Sequence, residues 1–512
     1  MYDESMSDVQ EEVRKLRERE ARLLEITALM SSATDLNQVL DRIVTCLRSV
    51  TCSDAGSLYL VENNQTLRFT VTQNDSKDIP FRTFSFPISP NTISGYVAQT
   101  GKPLAFDDVY LLDGSQPFTF KSDFDRQIGY RTKSMLTVPM CNRQQKVVGV
   151  VQLINKKIGV EEKIKTPLCA DRVVIPYDDD DVEFMTILSA QAAIVIERAS
   201  LYEGIERLLR GFVESSAKSI ESRDRTTSGH SQRIAAYMVV LAKRVNKQVD
   251  GFWKDVKYTQ EQIRELFYAA MLHDIGKIGV REYVLTKANK LSVNRMETLH
   301  LRIMLEIMHD RSREAEWMET WEFLKTVNIP GFLDDEKYNR LLDISRRTVR
   351  DLHGVARPLL DPMELENLAV RRGNLTDSER KEIESHVVHS SEILKKIPWT
   401  DNLLRVPMIA GSHHEKLNGK GYPLGLTKDE IPFEGRMLAV ADVFEALTAM
   451  DRPYKPAMPI PKAYEILRAD ARAGGLQPEI VEFFIEQKIA DVISDELRKS
   501  FTLNSEEILA LE

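Results

Sequence analysis

From Phe184 to Ser222 the chain contains no proline, and Ile187, Ile194, Leu201 and Leu208 recur every seven residues, with Ile205 and Phe212 as offset partners. A seven-residue apolar repeat of this kind predicts a long helix with one apolar stripe. Such a helix constrains the whole chain, because it divides the molecule into a part before it and a part after it. Two copies would pair along the stripe, and an uninterrupted helix would pass rotation or register from one part to the other. A helix packed on the core of its own domain is the alternative reading. The length of 512 residues leaves room for about three units at roughly 150 residues each.

The two parts differ in pattern. Before the helix, two helical stretches (ARLLEITALMSSA and LNQVLDRIVTCLRSV) lead into short alternating runs, GSLYLVEN, TLRFTVTQ, SMLTVPMC and KVVGVVQLIN, with turn residues between them. This predicts an α+β domain with an antiparallel sheet. Through SLYLVENNQTLRF, ISGYVAQTGKPLAFDDVY and YRTKSMLTVPMCNRQQKVVGVVQLINK the region resembles a GAF domain, which implies a sensor for a small-molecule ligand without naming it. Asn155-Lys156 partly matches a motif of cyclic-nucleotide-binding members, but the later half reads Tyr177-x-x-x-Asp181-Val182. Ahead of this domain, Val9, Val13, Leu16 and Leu23 lie among charged residues, as in a short coiled coil or an amphipathic helix lying on the following domain.

Composition excludes several classes. Lys and Arg number 69 against 78 Asp and Glu, a formal charge of −9, without the basic surplus that a nucleic-acid polymer requires. Cys46, Cys52, Cys141 and Cys169 show no Cys-x-x-Cys spacing, and neither disulfides nor a thiolate metal site are expected. No run of 18 apolar residues occurs, so a cytoplasmic chain without a membrane span is expected.

After the helix the pattern is mostly helical, and six of the nine histidines gather in short motifs. YAAMLHDIGKIGV carries His273 and Asp274, with Lys277 one turn on. Imidazole and carboxylate on adjacent residues suit Fe, Mn or Zn better than Mg or Ca. IAGSHHEKLNGKGYPLGL carries His413 and His414, which cannot share one helical face and so suit two neighbouring metals, or one ligand and one supporting donor. RMLAVADVFEALTAMDRPYKP places Asp442 on an apolar helix, where a lone carboxylate is costly unless paired or metal-bound. RDRTTSGHSQRIAAYM adds His230 and LTDSERKEIESHVVHSSEIL adds His386.

These five segments, in this order, resemble the HD-GYP family, a branch of the HD-type metal-dependent phosphohydrolases. The resemblance implies an all-α phosphohydrolase domain with two divalent ions, Fe or Mn, held by His230, His273, Asp274, His386, His413, His414 and Asp442. It makes Lys277 and Asp274 catalytic and sets Tyr422, Arg452 and Lys455 against the nucleotide. The implied substrate is cyclic di-GMP, opened to pGpG and slowly cut on to GMP. Some members use a Glu four residues before the first histidine for a third metal, where this chain has Thr226, and the usual Asp before the GYP turn is Asn418. His389, one turn after His386, is expected to hold no metal. About 80 residues, Ser292 to Asn374, interrupt the family pattern; they read as an added helical cap or dimer contact, and their His300, His309 and His353 fit no common ligand spacing.

The resulting division is an N-terminal helix at 1–23, a GAF sensor at 24–183, a helical dimer stalk at 184–219 and an HD-GYP domain at 220–512 with an insert at 292–374. The expected function is a signal-regulated cyclic di-GMP phosphodiesterase acting as a homodimer. A non-catalytic cyclic-dinucleotide receptor and a phosphodiesterase for another cyclic dinucleotide, such as cyclic GMP-AMP, are the alternatives.

Overall fold

The computed structural model describes residues 28, 36–79, 82–223, 229–450, 457–494, 497–498 and 501–512. The helix expected at 1–23, and Thr226, Arg452 and Lys455, lie outside the described residues. The chain divides into two compact units, 1–208 and 209–512.

The first unit is built on an antiparallel sheet, ordered β3-β2-β1-β6-β5-β4, with β7 pairing β6. The strands are β1 (Ser53–Glu62), β2 (Thr66–Asn74), β3 (Phe84–Pro87), β4 (Leu104–Phe106), β5 (Met135–Cys141), β6 (Val147–Lys157) and β7 (Val174–Ile175). Because successive side chains of a strand face opposite ways, Leu58 and Leu60 of β1, Leu136 and Val138 of β5, and Val151 and Leu153 of β6 share one face. Against it lies helix α1 (Leu36–Thr51), whose Val39, Leu40, Ile43, Val44 and Leu47 repeat at helical spacing. The other face receives α2 (Ile93–Thr100) through Val97 on Leu67 and Val150.

Helix α3 runs unbroken for 45 residues, Asp179–Arg223. Its Met185, Leu188, Ala192, Ala193 and Ile196 belong to the core of the first unit, and Val213, Ala217 and Ile220 to that of the second. Among the described residues it is the one helix long and apolar enough to cross a membrane by length and composition. The seven-residue stripe lies away from both cores: Ile187, Leu201, Ile205, Leu208 and Phe212 are exposed, and Ile194 is half-buried.

The second unit is helical. At its centre α4 (His230–Asn246) buries every residue from Ile234 to Ala242, so its apolar surface meets neighbours on all sides. α5 (Gln260–Leu272) packs on it after a capping box between Thr259 and Gln262. The insert folds around its own apolar cluster, in which Leu299, Ile303, Trp317, Leu324, Leu341 and Leu359 are buried. It contains α6 (Val293–His309), α7 (Glu314–Asn328), α8 (Asp335–Ser345), a short helix at Pro362–Leu368, and two small two-stranded sheets that helical periodicity does not reveal. In the larger sheet, Thr348–Arg350 pairs with Ala356–Pro358, and the turn is held by Asp351, which accepts from the N–H groups of His353 and Val355. After the insert come α9 (Asp377–Leu394), with its own capping box, and α10 (Phe433–Thr448).

Candidate metal centre

Seven side chains from five segments converge. His230 is the first residue of α4, His273 follows the last turn of α5, and Asp274 opens a tight turn over Ile275–Gly279. His386 lies on α9, His413 and His414 follow a short helix at Val406–Ala410, and Asp442 sits in the middle of α10. Three overlapping groups, His386/His413/His414, His230/His273/Asp442 and His273/Asp274/His413, each bring their donor atoms within 4.8 Å of one another.

Local backbone geometry sets the imidazoles. The Nδ1–H groups of His273, His386 and His413 donate to the carbonyls of Ala270, Ile383 and Ala410, each three residues earlier. A carbonyl only accepts, so in each neutral ring the lone pair is on Nε2. Those Nε2 atoms are buried without a hydrogen bond. Two of them face carboxylate oxygen: His273 Nε2 lies 3.3 Å from Asp274 Oδ2 and His386 Nε2 lies 3.2 Å from Asp274 Oδ1. Buried acceptors turned toward acceptors are costly unless a cation lies among them. Burial, with His414 and His273 close by, holds His413 well below the ordinary imidazole range, and burial lowers His414 to about 4. Burial alone would raise Asp442, but His230 and His414 outweigh it and keep the carboxylate ionised. The donor set, imidazole nitrogens with carboxylate oxygens, fits divalent transition ions.

Supporting residues complete the site. Glu445, one turn after Asp442, binds His230 Nδ1 and accepts from Arg233 Nε at 2.7 Å. Burial would raise Glu445, yet His230 and Arg233 lower it to about 2, so it accepts the Nδ1–H and turns Nε2 toward Asp442 Oδ1 at 3.4 Å. Burial opposes a charge on His230, but Glu445 and Asp442 raise it to about 10; a metal would take the place of the second proton. Ser390 Oγ donates to the His273 carbonyl at 2.7 Å and accepts from Gly276 N at 2.8 Å. Gly276 is required there, since a Cβ would stand 1.9 Å from the His386 carbonyl oxygen.

Around the rim, Lys277 Nζ lies 2.8 Å from Asp274 Oδ2. Tyr422 stacks on His414 with ring centroids 4.7 Å apart. Its turn is pinned by Glu415, whose carboxylate accepts from Leu424 N at 2.7 Å and Leu426 N at 2.9 Å. His389 packs beside Gly279, apart from the three groups. In the insert, His300 stacks on Trp321 at 4.6 Å and His309 Nε2 lies 3.3 Å from the Asp351 carbonyl. Glu445, Arg233 and Ser390 were not singled out from sequence, although each stands three or four residues from a singled-out ligand on the same helix.

In the first unit the partial nucleotide motif has structural partners. Asn155 Nδ2 donates to the Arg131 carbonyl at 2.8 Å and its Oδ1 accepts from Lys133 N, while Lys156 is ion-paired with Asp181 and Asp178.

Comparison with known proteins agrees with this architecture. A GAF domain model matches residues 35–196, and two HD domain models match 227–350 and 353–480. The chain carries a GAF domain followed by a helical region that HD domain models match. Among its relatives, 3'3'-cGAMP-specific phosphodiesterase 3 of Vibrio cholerae is 26% identical over 313 residues, 61% of this chain and 44% of that protein. A probable cyclic di-GMP phosphodiesterase of the same organism is 27% identical over 56% of this chain and 47% of its own length. The cyclic di-GMP phosphodiesterase response regulator RpfG of Xanthomonas campestris is 36% identical over 38% of this chain and 48% of its own length. The matches thus span less than half the length of each of these relatives.

Proposed function

We propose that the chain is a metal-dependent phosphodiesterase for a 3',3'-cyclic dinucleotide, opening cyclic di-GMP to the linear pGpG, with the GAF domain as its sensor. The observation that carries the reading is the convergence of buried imidazoles and carboxylates, with Nε2 of His273, His386 and His413 buried without a hydrogen bond and two of them facing Asp274. His230, His273 and Asp442 would hold one divalent ion, and His386, His413 and His414 the other. Asp274 presents Oδ2 toward His230 and His273 and Oδ1 toward His386, so it would help to hold the metal as well. Iron or manganese in these positions supplies Lewis-acid charge at the phosphoryl oxygens and an acidified water near neutral pH.

The protein's own groups do the rest. Lys277, beside Asp274, carries a proton at Nζ that can stabilise negative charge on the departing ribose oxygen. Tyr422, fixed by its contact with His414, offers an aromatic face to a base. Arg452 and Lys455 would bind the second phosphate, as Arg is suited to paired phosphate contacts. With Thr226 in place of the Glu of some three-metal members, two ions are expected and cutting of pGpG to GMP should be slow.

Three relatives named as 3'3'-cGAMP-specific enzymes support a second reading, in which the substrate is cyclic GMP-AMP. Both are tested by chromatography after anaerobic incubation of the metal-analysed protein with Mn or Fe(II) and each dinucleotide. Accumulating pGpG from cyclic di-GMP is expected; faster turnover of cyclic GMP-AMP would change the substrate. Binding without product at full metal content would make the chain a receptor. The exposed stripe on α3 supports a homodimer, and Leu201→Asp with Leu208→Asp should give monomers by light scattering.

A further inference from the structure

We propose that Glu221, in the last turn of the long helix α3, is a positioning residue for the metal centre, making that helix a direct mechanical link to His230. The proposal rests on the metal reading above and adds the route by which α3 reaches the site.

The first N–H groups of a helix need an acceptor, usually a side chain at the residue before the first turn. In α4 that residue is Gly229, which has no side chain to offer. The acceptor comes instead from α3: Glu221 Oε2 accepts from Gly229 N at 2.8 Å and Oε1 from Ser231 N at 3.2 Å. A carboxylate is the favoured partner there, since the helix dipole leaves positive potential at its N-terminus. The residue between the two bonded amides is His230, so the carboxylate grips the backbone on both sides of a proposed ligand. Gly229 is held in the left-handed region (φ 68°), and a Cβ on it would stand 2.9 Å from Phe501 Cβ. That leaves little room for the turn to shift independently.

A second contact reaches the turn that carries Asp274 and Lys277. Arg223 Nη1, two residues beyond Glu221, donates to the Ile278 carbonyl at 2.8 Å, next to Lys277. Val213, Ala217 and Ile220 seat this end of α3 in the core of the second unit. A rotation or shift of α3 therefore acts on His230 without an intervening relay.

The control is Glu214, on the same helix, which binds Ser505 through its amide at 3.3 Å and through its hydroxyl and touches no part of the site. Mn retention by the full chain would be titrated against a competing chelator, alongside thermal melting, for wild type, Glu221→Ala, Glu221→Gln and Glu214→Ala. Loss of a residue supporting a metal ligand typically weakens metal binding about 10–100-fold, and Glu221→Ala should fall at about the lower end. Glu221→Gln keeps one acceptor and should lie between it and wild type, while Glu214→Ala should keep wild-type affinity. Wild-type affinity in Glu221→Ala, or an equal loss in Glu214→Ala, overturns the proposal. Should Glu221→Ala fail to fold, the Gln variant decides in the same way. Failure of the wild type to hold Mn would instead overturn the metal reading itself.

Discussion

Both units bury acidic side chains, but they complete them differently. In the GAF domain Asp54 is fully buried, and each oxygen has a donor. Oδ1 accepts from Ser76 Oγ at 2.7 Å and lies 3.3 Å from Lys157 Nζ; Oδ2 accepts from the Tyr130 hydroxyl at 2.7 Å. Lys157 continues to Asp75 Oδ2 at 3.2 Å, and Asp75 is paired with Arg48. In the HD domain, Asp274 and Asp442 have Lys277 and His230 beside them, but the Nε2 atoms of His273, His386 and His413 in the same cluster are buried without a hydrogen bond. A closed set of donors and acceptors specifies a fold, whereas a set left with surplus acceptors specifies a place for something else. Burial of charge alone does not distinguish a structural network from a site; closure does.

The strongest way to break this comparison is to remove one acid from each set. Asp274→Ala should abolish metal content and turnover together while the chain still folds, because it deletes a proposed ligand whose salt-bridge partner Lys277 lies at the rim. Full activity with metal retained would refute the assignment. Asp54→Ala deletes one of the two carboxylates on a buried ammonium, which keeps Asp75, so the loss should stay below the ~3–5 kcal/mol of a fully broken buried pair. It should lower the urea midpoint of the GAF domain and leave the metal content per chain unchanged.

A sharper test lies at the border between the two kinds of network. Glu445 is closed on one side by Arg233 and orients a proposed ligand on the other. Glu445→Gln loses the charge that fixes the proton on His230 Nδ1, and metal affinity should drop about 10–100-fold in a chelator titration, with the melting temperature falling too because buried Arg233 loses its ionic partner. An unchanged affinity would reduce Glu445 to a structural acid.

The same contrast explains what was legible in the sequence. Each of the seven convergent side chains belongs to a short motif, and the motifs occur in the order of a family with that chemistry, so the convergent set could be listed before its geometry was known. The groups that orient it could not, because their partners are remote: His230 and Glu445 are 215 residues apart in the chain. Glu221 was hidden for another reason, since a carboxylate near the end of a charged helix reads as a solvated side chain until α4 is seen to lack a cap of its own. The sheet domain and the long helix were legible from periods of two and seven. The insert was read as helical throughout because its hairpin strands, three residues each, are too short to show alternation.

The smallest effect is expected at Ser390, where a closed hydrogen-bond pair lies directly behind the open cluster. Its hydroxyl joins the His273 carbonyl to Gly276 N, both buried, and thereby fastens the turn bearing Asp274 to α9. Ser390→Ala leaves a buried donor and a buried acceptor without their partner, which costs about 1–3 kcal/mol. The turn remains wedged against α9, because Gly276 sits too close to the His386 carbonyl for the backbone to move inward. Stability measured by urea unfolding should therefore fall, with metal affinity within about twofold of wild type, since outward nitrogens of the imidazoles keep their directions through their own Nδ1–carbonyl bonds. If metal affinity falls as far as in Glu445→Gln, proximity to the cluster matters more than closure, and the distinction between the two networks fails at the point where they touch.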